Sequence, residues 1–123
     1  MFVRKVMLIL GLSVFLTSIC SMQSCYAKGP TPCEAIRDYL QQVEHLSIYS
    51  FGEDRDKKLV EAEEAFREQL GKLHYSPSTE LADHIKRWVG LIRWGHDRLR
   101  KGDARMLLWA KEAREKIQEL CPQ

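Results

Sequence analysis

The chain is 123 residues long, enough for a single domain with a modest core. Its 19 basic residues exceed its 17 acidic residues by two, and Arg4 and Lys5 account for that excess. From residue 28 onward the charges balance, which excludes a generic nucleic-acid binder, since such a domain carries a basic surplus.

Residues 1–27 have the layout of a secretory signal. Arg4 and Lys5 form a positive start, and Val6 to Cys20 is an uncharged apolar run. Cys25-Tyr26-Ala27 then places small residues at the third and first positions before a cut. The expected product is residues 28–123, a helical domain exported to the periplasm or outside the cell. The apolar run falls short of the roughly 20 residues that span a bilayer. Membrane attachment is expected only through lipidation of Cys20 or Cys25. The residues before them, Thr17-Ser18-Ile19 and Met22-Gln23-Ser24, fit a lipoprotein signal poorly.

The other two cysteines, Cys33 and Cys121, stand near the two ends of the exported part. An oxidising compartment favours their pairing into one intramolecular disulfide. No CxxC occurs, and no histidine lies within a few residues of either cysteine, so no metal site is expected there.

Thr31-Pro32-Cys33-Glu34 starts the first helix: Thr31 caps, Pro32 suits the first turn, and Glu34 completes a capping box. Ile36, Leu40 and Val43 recur at helical spacing, with Tyr39 and Leu46 beside them, which predicts a helix to about Leu46. Ser47 to Gly52 reads as a loop whose aromatics, Tyr49 and Phe51, cover one end of the bundle. The second helix starts among the acidic residues between Glu53 and Asp56. Leu59, Ala62, Phe66, Leu70 and Leu73 form its apolar stripe, and Glu61, Glu64 and Glu68 form a solvated face.

Ser76 and Pro77 are expected to cap and begin the third helix. Its apolar face comprises Leu81, Ile85, Trp88, Leu91, Ile92 and Leu99. Gly90 and Gly95 fall inside it, each at a cost of about 1 kcal/mol relative to alanine. Gly102 ends this helix and Asp103 caps the fourth, which carries Met106, Ala110, Ala113, Ile117 and Leu120. Four amphipathic segments with short connections predict an all-α, up-down-up-down bundle. In that topology the start of the first helix and the end of the fourth share one pole, where Cys33 and Cys121 would meet.

No catalytic motif is present, neither HExxH, GxSxG nor a phosphate loop. His45, His74, His84 and His96 are scattered, and no cofactor is expected. One position stands apart. On a regular helix Trp94 projects away from the face of Leu81, Ile85, Trp88 and Ile92, with Arg87, Gly90, Arg98 and Lys101 near it. Tryptophan and arginine are enriched in interface hot spots, and Leu108 is likewise off its own stripe. The alternative, favoured because a fully exposed tryptophan is uncommon, is that this helix is broadly buried, with Trp94 packed under a neighbouring helix or under the Ser47–Gly52 loop.

The sequence therefore suggests a non-enzymatic exported protein that binds another protein through Trp94, Arg87, Arg98, Gly90 and Leu108. The alternatives are a lipid-anchored accessory protein of an envelope assembly and a small-ligand carrier using the bundle interior. Nothing in the sequence indicates an oligomeric state.

Overall fold

A computed structural model of the chain describes residues 29–121 and, among them, four helices and no strand. The expected leader, with Cys20 and Cys25, lies outside the described residues. Helix α1 spans Pro32–Tyr49. The Thr31 hydroxyl accepts the Glu34 N–H at 3.2 Å, and the Glu34 carboxylate accepts the Thr31 N–H at 3.4 Å. This is the expected capping box, which satisfies donors that a helix start leaves free.

The expected loop from Ser47 to Gly52 is mostly helix. Ser47 is buried, and its hydroxyl donates to the Val43 carbonyl at 2.8 Å, so it does not interrupt α1. Only Ser50 and Phe51 connect α1 to α2, which spans Gly52–Lys72. Two residues are too few to fold back over the bundle end, and Tyr49 and Phe51 stay exposed rather than forming a lid.

The stripe of α2 is the expected one, Leu59, Ala62, Phe66 and Leu70, but it begins one turn earlier with Arg55, which is only 5% exposed. Phe66 stacks on Tyr39 of α1 with ring centres 4.2 Å apart. α2 ends in a Schellman turn: Tyr75 N–H donates to Leu70 C=O, His74 N–H to Gly71 C=O, and His74 takes φ 52°.

Helix α3 spans Thr79–Arg100 and is capped by Ser78, whose hydroxyl accepts the Leu81 N–H at 3.2 Å. Ser76 and Pro77 instead lie in the connection. The Schellman turn uses Leu73 to Tyr75, and the chain needs Ser76 and Pro77 to reverse before a new helix can start. Helix α4 spans Arg105–Leu120, and its cap position is Ala104, not Asp103. Gly102, at φ 89°, closes a second Schellman turn in which Asp103 N–H donates to Arg98 C=O at 2.9 Å. The Asp103 backbone thus belongs to the end of α3, while its carboxylate still accepts the Arg105 N–H at 3.0 Å.

The four helices run up-down-up-down. α1 packs on α2 and α3, and α3 packs closely along α4. α2 and α3 are bridged by long side chains rather than close-packed backbones. The core holds Ile36, Leu40, Val43, Leu81, Ile85, Trp88, Ile92 and Ile117. Gly95 permits the close approach of α3 and α4, because a Cβ there would lie 2.7 Å from Leu107 Cδ2. Leu99, expected on the core face, is exposed, since the stripe of α3 is covered only as far as Ile92 and Gly95. Cys33 and Cys121 are bonded, with Cα atoms 5.5 Å apart across 88 positions of sequence. No helix among the described residues is long and apolar enough to cross a membrane.

Candidate interaction surface

The pole opposite the disulfide is held by a charged network between α2 and α3. Arg55 Nη1 contacts both Asp97 oxygens, at 3.2 and 3.0 Å. Arg93 of α3 donates to Asp56 of α2 at 2.6 Å. Arg100 adds a bond of 2.9 Å to Asp97 and another of 3.1 Å to the Ile48 carbonyl. α2 and α3 do not meet here as an acidic face against a basic one. Each supplies one cation and one anion to these two cross-helix pairs. Glu61, Glu64 and Glu68 are exposed, as a solvated face requires.

Arg55 is the functional-looking residue that helical-stripe reasoning passed over. It sits four positions before Leu59, in line with the apolar stripe of α2. A charged residue in that register is buried only when paired, and its partner is 42 positions away. The available signal was the register alone.

Trp94 rests on this network. The Arg93 guanidinium lies 4.9 Å from its ring centre and that of Arg55 lies 5.7 Å away. Such cation–π contacts contribute about 0.5–1 kcal/mol each at exposed sites. Both arginines are themselves pinned by carboxylates, so the ring is supported from below by a preset platform. Even so, Trp94 is 49% exposed. It does not pack under a neighbouring helix.

Arg87, Gly90 and Arg98 lie on the same helix as Trp94, and Leu108 lies on α4. Arg87 and Arg98 are exposed, and neither forms an ion pair among the described residues. A Cβ at Gly90 would meet nothing within 4 Å. Leu108 on α4 is 63% exposed. Gly95 of α3 lies against Leu107 of α4, and Trp94 and Leu108 are the residues next to them in the chain. Trp109, 46% exposed, extends the apolar area on α4. Trp109 stands three residues after Met106 and four before Ala113, both on the expected stripe of α4, so its helical position does not announce its exposure.

A separate concave feature lies between the C-terminal half of α2 and the N-terminal half of α3. This cleft of about 640 Å³ has Tyr39, Phe66, Leu70, Ile85 and Val89 among its lining, with Arg67 and Lys86 also at it. Burial, with a smaller effect of the Glu63 carboxylate, pushes the Tyr39 phenol up to about 12. Among the described residues no three His, Cys, Asp or Glu side chains gather as a metal site would need. No protein-family model, curated protein sequence or solved structure matches the chain.

Proposed function

We propose that this chain is a small exported helical protein, without enzymatic activity of its own, that binds another protein in the cell envelope or outside the cell. The outer face of α3, with the adjoining part of α4, is the binding surface. The observation that carries this reading is Trp94, half-exposed on a platform of two pinned arginines. Interfaces take much of their energy from tryptophan and arginine anchors of this kind. Leu108 and Trp109 add exposed apolar surface, which is of the kind that marks interaction sites. Export is supported by the signal-like leader and by the Cys33–Cys121 bond, which suits an oxidising compartment.

The test pairs capture with stability. Immobilised protein and its Trp94→Ala variant are exposed to the same native envelope or extracellular fraction, at a temperature where thermal melts show both fully folded. Loss of a captured protein by the variant alone supports the reading. Equal capture by both rejects it.

The cleft between α2 and α3 favours a second reading, a carrier of small apolar ligands. Its volume lies within the range of small-molecule pockets. Titration with a medium-chain fatty acid, with Val89→Trp as a variant that fills the cleft, checks it. Anchoring is checked by intact mass: a product beginning at Lys28 is free, whereas an acylated start at Cys20 or Cys25 is anchored.

A further inference from the structure

We infer that the surface around Trp94 takes an acidic amphipathic helix of the partner, laid along α3. This inference rests on the protein-binding reading above and names the chemistry of the partner.

Arg87, Gly90, Trp94, Arg98 and Lys101 follow one another at intervals of three or four residues, so they form one strip along α3. The strip is about 20 Å long at the helical rise, the length of nearly four turns of a partner helix. Arg87, Arg98 and Lys101 form no ion pair among the described residues. The neighbouring Arg55, Arg93 and Arg100, in contrast, are all committed to Asp56 or Asp97. Cations without an ion pair therefore flank the tryptophan on both sides, and the strip itself contains no carboxylate, although Arg98 lies near enough to Asp103 to help lower its pKa. Asp83, one turn before Arg87, marks its end.

The helix dipole explains Arg98 and Lys101, which sit at the C-terminal end of α3. It does not explain Arg87 in the middle. Nor does the fold explain Gly90. Glycine there costs about 1 kcal/mol relative to alanine, yet a Cβ would touch nothing. A notch in the middle of a strip is useful to a second helix, because it lets the two axes approach. An acidic helix with apolar residues on one side matches each part: carboxylates to Arg87, Arg98 and Lys101, an apolar side chain over Trp94, and close backbone approach at Gly90.

The test uses two synthetic helical peptides of about three heptads, with leucine along one seam. Glutamate flanks the seam in one and lysine in the other. Each is titrated into the oxidised, nitrogen-15-labelled protein. Binding of the glutamate peptide shifts the Trp94 indole N–H and the Gly90 and Arg98 amides, and the lysine peptide leaves them in place. The double variant Arg87→Glu, Arg98→Glu weakens the glutamate peptide by about tenfold or more, as lost charge complementarity requires. Gly90→Leu weakens it without lowering the melting temperature. Equal binding of both peptides, or of neither, overturns the inference. So does a shift of these signals with protein concentration alone, which would assign the strip to a second copy. If capture of a natural partner still depends on Trp94 while the glutamate peptide fails, the acidic-helix inference falls and the protein-binding reading stands.

Discussion

Arg55 Nη1 lies 3.2 and 3.0 Å from the two carboxylate oxygens of Asp97, so one nitrogen on α2 is shared by both oxygens of a residue on α3. Arg55 is buried at this contact and Asp97 is only partly so. Removing one partner of such a pair strands the other. Asp97→Ala should therefore cost about 3 kcal/mol, read by urea denaturation. Arg55→Met combined with Asp97→Leu should recover part of that loss, since no buried charge is then left alone.

The two tryptophans of α3 should separate cleanly. Trp88 is 2% exposed and fills the core. Trp88→Ala should cost about 3–5 kcal/mol. Trp94→Ala should cost only about 1–2 kcal/mol, the scale of its two cation–π contacts together. Thermal melts of the two variants check this. A loss at Trp94 as large as that at Trp88 would make it a core residue and remove the basis for a binding surface.

The two glycines of α3 should respond with opposite sign. Gly90→Ala should stabilise by up to about 1 kcal/mol, because helix propensity improves and no atom is met. Gly95→Ala should destabilise by about 1–2 kcal/mol despite the same propensity gain, since the new methyl collides with Leu107. Denaturation curves of the two single variants are sufficient.

Which parts of this fold were legible in the sequence follows from the range of the interactions involved. The capping box at Thr31 and Glu34 is a local device, and its residues announce it. The stripes of α1 to α4 are periodic, and they identified most of the core. Helix ends were harder. Ser78, Ser76 and Asp103 all have the chemistry of a cap, and the choice among them depended on where the preceding Schellman turns left the chain. Ser47 was read as a breaker because its back-bond to Val43 is invisible in the sequence. Projection away from the apolar face placed Trp94, Arg87 and Arg98 on the exposed side of α3, where they lie. The same rule did not foresee the burial of Arg55 or the exposure of Trp109, which neighbouring helices decide.

Stability should fall at both ends of the pH range, for opposite reasons. The Tyr39 phenol has a folded pKa of about 12 against an ordinary 10.0. A raised pKa means full stabilisation below pH about 10, lost as pH rises from there toward 12. Tyr39→Phe keeps the stacking on Phe66 and should flatten this alkaline loss. At the acid end, the Arg105 side chain holds the Asp103 carboxyl down to about 2 from 3.8. Its contribution is present above pH about 4 and is lost as pH falls toward 2. Asp103→Asn should remove that dependence. Denaturant midpoints across pH test both.

The bond between Cys33 and Cys121 closes a loop over 88 positions. The chain-entropy account gives such a loop up to ~4–5 kcal/mol. Urea denaturation with and without reductant, compared with Cys121→Ser, should show a loss of this order and no further effect of reductant on the variant.

That bond also decides how the domain carries load. Residues outside the pair leave from the same pole, from two points 5.5 Å apart at Cα. A pull on the two ends would pass through the sulfur–sulfur link, and the helices between would feel no tension. While oxidised, the domain is an inextensible ring under force. Once reduced, the same pull could draw it out by about 300 Å of chain, at ~3.4 Å per residue.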